Sequence, residues 1–226
     1  MTLQLVSFDL DGTLIDTASE IAEAANRTLA EFGFAPRPTD EITLLIGAGM
    51  RALMAQLLER ARQEEPPFAD PVSLQAVLDA MGHHYGRTIG TSAIPYMGAL
   101  DALGRLKEVG VLLACVTNKE MRFARPVLES TGLAGCFDLI VAGDSLVEKK
   151  PHASVLRHVL SSLRAPAARA SHVGDSVTDI AAARNAGVAA WAVPYGYNGG
   201  VPIAASRPDR IFATLTDVAD AALQHA

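Results

Sequence analysis

Apolar and polar positions follow two different rhythms along the chain. Leu5 to Phe8 is a short apolar run of strand type that drives into Asp9 and Asp11, with Gly12-Thr13 turning the chain just after them. From Thr17 to about Gly33 the rhythm is helical, with Ile21, Ala24, Ala25, Thr28, Leu29 and Phe32 on one face. Thr17, with Glu20 three residues on, has the pattern of a capping box. Pro36 and Pro38 break the pattern. Asp40 to Ile46 then predicts a short helix, Gly47-Ala48-Gly49 a turn, and Met50 to Glu64 a helix with Leu53, Met54, Leu57, Leu58 and Ala61 inward. Glu64 to Pro71 holds three prolines and predicts a loop, and Val72 to Tyr85 predicts a further helix. No convincing strand falls within residues 17–86.

After Tyr96 strands and helices alternate. Apolar runs at 111–116, 137–141, 171–173 and 189–193 are separated by helical patterns around Leu100 to Leu106, at 122–130, 153–164 and 178–187, and Gly110 and Gly132 stop two of these helices. A small edge strand at 209–213 and a helix at 216–225 complete the chain. Such alternation predicts right-handed βαβ crossovers and a parallel α/β sheet with helices on both faces. Ligands of such sheets sit beyond the carboxyl ends of the strands.

Composition narrows the function. Half of the 226 residues are hydrophobic, enough for a sizeable core without staples, and the two cysteines, Cys115 and Cys136, form no disulfide framework. A formal charge of -6 argues against nucleic acid or an anionic membrane surface as partner. No basic segment followed by an apolar core opens the sequence, and no apolar stretch is long enough to span a bilayer, so the expectation is a cytoplasmic protein.

The unusual chemistry gathers where the strands end. In a strand, Asp9 and Asp11 project to the same face and repel each other unless a cation or shared proton intervenes, although Asp-Gly between hydrophobics also reads as a hairpin turn. Three more strand candidates end in polar clusters: Thr117-Asn118, Lys149-Lys150-Pro151, and Gly174-Asp175 with Asp179. Singly, these are ordinary turn, N-cap or solvated loop residues. Their succession in order is what points to a site.

Together, Asp9-Leu10-Asp11-Gly12-Thr13, Thr117-Asn118, Lys150-Pro151 and Gly174-Asp175 with Asp179 resemble the four motifs of the haloacid dehalogenase superfamily of phosphohydrolases. The resemblance runs nearly end to end. It implies a Rossmann-like α/β core domain over residues 1–16 and 87–226, with an inserted all-helical cap domain over residues 17–86. Tyr195-Gly196-Tyr197-Asn198 and Lys149-Lys150-Pro151-His152 are most similar to phosphoglycolate phosphatases. Met97 and Ala153 stand where relatives often carry proline.

By this resemblance Asp9 is the nucleophile that forms an aspartyl-phosphate, and Asp11 protonates the leaving alkoxide and then activates water. Thr117 and the Asn118 backbone hold phosphate oxygens, and Lys150 offsets charge on the transferring group. Asp9, the Asp11 carbonyl, Asp175 and Asp179 form the metal site, Asp179 binding directly or through water. Four carboxylates and a phosphate ester against Lys150 need a divalent ion, because like charges about 4 Å apart repel by about 4 kcal/mol at an effective dielectric near 20. Oxygen ligands favour Mg²⁺. The acid at Asp11 favours phosphoester over carbon–halogen cleavage. Arg51, beside the Gly47 turn, is the candidate for a substrate carboxylate. His83, His84 and His152 are read as surface or packing residues. The expected partner is a small phosphorylated metabolite, with no nucleic acid and no membrane, for a monomer or homodimer. The rival expectations are a sugar-phosphate mutase like β-phosphoglucomutase, and a non-catalytic binding protein on the same scaffold.

Overall fold

The structure, a computed structural model, describes residues 3–64 and 72–224. The chain runs through β1 (Leu5–Phe8), β2 (Ile15–Asp16), α1 (Ala18–Glu31), α2 (Thr39–Thr43), α3 (Met50–Glu64), α4 (Leu74–Thr88), β3 (Ile94–Pro95), α5 (Ala99–Glu108), β4 (Leu112–Val116), α6 (Met121–Ser130), β5 (Leu139–Val141), α7 (Ala153–Ser162), β6 (Ala170–Gly174), α8 (Val177–Ala186), β7 (Ala189–Ala192), β8 (Arg210–Ile211) and α9 (Leu215–Gln224). Six strands form a parallel sheet in the order β5-β4-β1-β6-β7-β8. β1 sits centrally because its four residues are all buried, as a strand covered on both faces requires.

Side-chain alternation assigns each face of the sheet to its own helices. Val6 and Phe8 of β1 join Leu103 and Leu106 of α5, Val127 of α6 and Val218 of α9 in one cluster. Leu5 faces the other way and joins Val155 of α7 and Ile180 of α8 in a second. Helices α1, α3 and α4 bury Ile21, Leu29, Met54, Leu57 and Met81 in a third cluster, which Ile42 of α2 and Phe123 of α6 also enter. The described residues contain no helix long and apolar enough to cross a membrane.

Several expectations change in detail. Residues 15–16 and 94–95, on either side of the helical segment, pair as an antiparallel ribbon where the sequence showed no strand pattern. The strand expected at 137–141 begins only at Leu139, because a short helical turn occupies 134–136 and the Asp138 carboxylate accepts a bond from the Leu113 backbone N–H at 2.8 Å. The capping box at Thr17 and Glu20 does not form. The Thr17 hydroxyl donates to Asp11 Oδ1 at 2.7 Å, while Glu20 is buried and accepts from the Tyr85 hydroxyl at 3.0 Å. Tertiary partners outbid the local cap here, since a buried carboxylate needs donors wherever they lie. The proline-rich loop falls mostly at 65–71, outside the described residues.

Candidate active site

β1 stops at Phe8, so Asp9 and Asp11 stand just beyond a central strand and not within it. Asp9 still donates its backbone N–H to Val173 O at 2.9 Å. The chain then folds back tightly, with Leu14 and Ile15 both donating to Leu10 O. Gly12 takes φ of 82° in that turn, and a Cβ there would meet the Asp175 carboxyl at 2.5 Å, so both the backbone conformation and the space call for glycine. The two carboxylates are therefore not simple neighbours on a strand face. Asp9 turns to Lys150, and Asp11 turns to Lys119 and Thr17.

Below Asp9 lies a buried charge cluster. Lys150 Nζ is 2.8 Å from Asp9 Oδ1 and 2.7 Å from Asp179 Oδ1. Lys150 is thus the ammonium on which both buried carboxylates converge, and it is the partner at Asp9 Oδ1. Asp179 Oδ2 accepts from the Ser176 hydroxyl at 2.6 Å and its backbone N–H at 3.1 Å, closing the capping box of α8. Asp175 is held from both sides, by the Thr13 hydroxyl at 2.8 Å and the Tyr197 backbone N–H at 2.7 Å. Tyr195 braces the same loop by donating to Thr13 O at 2.9 Å, and the Tyr197 hydroxyl lies 2.8 Å from Asp16. The Lys150–Pro151 peptide is cis.

Electrostatics mark this cluster as short of positive charge. Burial pushes the Asp9 carboxyl well above the ordinary aspartate range, Lys150 opposes the rise, and Asp179 and Asp175 add to it. Burial and then Asp179 push Asp175 up to about 6. Asp179 resists the same burial, because Lys150 and His172 hold it below the ordinary value. Burial works against the Lys150 ammonium, yet Asp179 and Asp9 keep it above the ordinary lysine value. His172, buried on β6, has its proton affinity lowered by burial. A neutral imidazole fits its partners, Nε2–H facing Asp179 Oδ1 at 3.4 Å and Nδ1 accepting from Ser7 Oγ at 2.9 Å.

Carboxylate oxygens of Asp9, Asp175 and Asp179 all lie within 4.8 Å of one another. Three buried carboxylates around one ammonium suit a hard divalent cation bound by oxygen. The Asp11 carboxylate is not part of this cluster; only its backbone carbonyl is left for a metal role.

The remaining expected residues fall into two groups. Thr117 and Asn118 line the same cleft as Asp9 and Asp11, an open space of about 550 Å³ including its mouth, walled on the helical side by Ile21, Leu53, Met81 and Tyr85. The Asn118 side chain is a clamp: it donates to Gly47 O at 3.0 Å and Lys150 O at 3.1 Å, and accepts from the Lys150 backbone N–H at 3.0 Å. Arg51, by contrast, is exposed and reaches Gln75 of α4 at 3.4 Å; it is not among the residues lining the cleft. His84 pairs with Glu31 at 2.8 Å, also away from the cleft.

Two residues escaped the sequence reading. Lys119 is buried and lines the cleft, with Nζ 2.7 Å from Asp11 Oδ1, so Lys150 is not the sole cation of the site. Its adjacency to Thr117-Asn118 at a strand end was the available signal. His172 is a polar residue inside an apolar strand run just before Gly174-Asp175, a place where a side chain must find partners or not be there.

This architecture and site have close counterparts. The family model for haloacid dehalogenase-like hydrolases matches residues 6–193. The phosphoglycolate phosphatase of Thiobacillus denitrificans is 34% identical over 219 residues, covering 97% of this chain and 95% of that protein. A plasmid-encoded phosphoglycolate phosphatase of Cupriavidus necator is 40% identical over 194 residues, covering 86% and 82%. The crystal structure of a predicted phosphoglycolate phosphatase from Haemophilus somnus superposes with a TM-score of 0.93 at 29% identity, over 98% of both chains. With the family model and these relatives spanning nearly the whole fold, the chain belongs to the haloacid dehalogenase-like hydrolases and is a phosphoric monoester hydrolase.

Proposed function

We propose that this protein is a Mg²⁺-dependent phosphatase that hydrolyses a small phosphorylated metabolite, 2-phosphoglycolate first among them, through a phosphoryl group held on Asp9. The observation that carries this reading is the Asp9 carboxylate itself: it sits at the end of the central strand, lines the cleft, and shares the single ammonium of Lys150 with two further buried carboxylates nearby. The names of the relatives support the substrate.

Asp9 attacks phosphorus in line, and the ester oxygen leaves from the opposite side. Asp11, on the cleft wall, gives that oxygen its proton and in the second step takes one from the attacking water. Thr117 and the Asn118 backbone, at the end of β4, hold the transferring oxygens in place while the Asn118 side chain clamps the loops around them. Lys150, pinned between Asp9 and Asp179, keeps its charge next to the nucleophile throughout. A divalent cation held by Asp9, Asp175, the Asp11 carbonyl and Asp179, directly or through water, supplies the positive charge that lets phosphate approach these carboxylates. The helices of residues 17–86 serve as a cap over the core of residues 1–16 and 87–226, and the apolar wall of the cleft excludes water during transfer.

The test is phosphate release from 2-phosphoglycolate, hexose phosphates and nucleoside monophosphates, with Mg²⁺ and with chelator, for the natural protein and Asp9→Asn. Mg²⁺-dependent release that favours 2-phosphoglycolate and is lost in Asp9→Asn is the expected result. Retained turnover in Asp9→Asn refutes the covalent mechanism, and conversion of a hexose 1-phosphate to its 6-phosphate without phosphate release identifies a mutase instead.

A further inference from the structure

Asp11 has one oxygen that is fully engaged and one that is not. Oδ1 lies 2.7 Å from Lys119 Nζ and accepts from the Thr17 hydroxyl at 2.7 Å. Oδ2 has no hydrogen-bond donor among the described residues. Lys119 is in turn held by the Tyr85 hydroxyl of α4 at 2.6 Å, and that hydroxyl donates to Glu20 Oε1 of α1 at 3.0 Å. Glu20 Oε2 accepts the Gly90 backbone N–H at 2.8 Å. The direction of every bond is set by chemistry, since an ammonium only donates and a carboxylate only accepts, so the tyrosine hydroxyl must accept from Lys119 and donate to Glu20. Tyr85, Glu20 and Lys119 are all buried, so the chain has little access to water as an alternative partner.

We propose that Lys119 is a positioning residue for Asp11: with Thr17 it ties down Oδ1 as the accepting oxygen and leaves Oδ2 as the atom that carries the proton to the leaving group. Lys119 is itself placed by Tyr85, which Glu20 holds in turn, so these links from the helical layer to the acid form only while those helices rest on the sheet domain. The inference builds on the phosphatase reading and on the acid–base role of Asp11. Its consequence is selective. A leaving alkoxide needs the proton from Oδ2, whereas a p-nitrophenolate leaves without one, so loss of the positioning must hurt alkyl esters far more than aryl esters.

The experiment compares Lys119→Met, Lys119→Arg and Tyr85→Phe with the natural protein on 2-phosphoglycolate or another alkyl phosphate and on p-nitrophenyl phosphate, with Mg²⁺ present. For Lys119→Met, kcat/KM on the alkyl ester is expected to fall about 100-fold, the low end of a general acid's contribution, and on the aryl ester less than about fivefold. The aryl ester should also show a burst of p-nitrophenolate, because water activation by Asp11 slows after the phosphoryl group is on Asp9. Tyr85→Phe is expected to show the same selectivity at smaller size, and Lys119→Arg to recover part of the loss. If Lys119→Met does not fold, Tyr85→Phe decides the matter by the same ratio. An equal fall on both esters overturns the proposal and makes Lys119 a phosphate-binding or structural residue. If the natural protein releases phosphate from neither ester, the phosphatase reading fails first and takes this proposal with it.

Discussion

The coupling between metal, proton and stability at Asp175 offers a sharp test. In the folded chain without metal, burial and then Asp179 move the Asp175 carboxyl from the ordinary 3.8 to about 6. Between those two values the folded protein binds more protons than the unfolded chain, so stability falls as pH rises through the window and stays low above it. A displacement of about 2 in pKa is worth ~3 kcal/mol at 1.36 kcal/mol for each pKa unit. At ~2–4 °C per kcal/mol for a chain of this size, that is ~6–12 °C in Tm. Asp9, raised as well, adds in the same direction. The divalent cation of the proposed mechanism would bind the ionised carboxylates and reverse the loss. The gap in Tm between Mg²⁺-loaded and chelator-treated protein should therefore be small at pH 5 and approach this size at pH 7.5. Thermal melts followed by circular dichroism across that range measure it, and Asp175→Asn, which cannot ionise, should flatten the dependence. A gap that is independent of pH, or an Asp175→Asn protein with the slope of the natural one, would refute the reasoning.

Two further substitutions probe how the site is packed. Gly196→Ala puts a Cβ into the Asp175 carboxyl and should cost about 1–3 kcal/mol by overpacking, with weakened Mg²⁺ binding by titration calorimetry. Asn118→Ala removes three hydrogen bonds that tie the Lys150 loop to the Gly47 turn; a loss of about 1–3 kcal/mol in urea unfolding is expected, together with at least a tenfold fall in kcat/KM.

What the chain states locally, it states well. The helical period of residues 17–33 and the apolar runs before Thr117 and Asp175 are properties of neighbouring residues, and helices α1 and α8 and strands β1, β4 and β6 appear where those patterns fall. The polar clusters end up around one cleft and charge cluster because every major strand is parallel, so all their carboxyl ends lie on one edge of the sheet. The departures share a different cause. Whether Asp11 meets Lys150 or Lys119 depends on a contact across 108 residues. Whether Glu20 caps its own helix or receives Tyr85 depends on a contact across 65. Arg51 was placed by its nearness in sequence to the Gly47 turn, but a helix turns about 100° per residue, and side chains one position apart face different ways. Tyr197 holds Asp175 through its backbone N–H, a group that every residue but proline carries and that no side-chain pattern reveals. Residue types and periodicity therefore determined the elements and the chemistry available at their ends, while the packing of helices on the sheet decided which charges meet, because burial allows a charge to remain only where a partner reaches it.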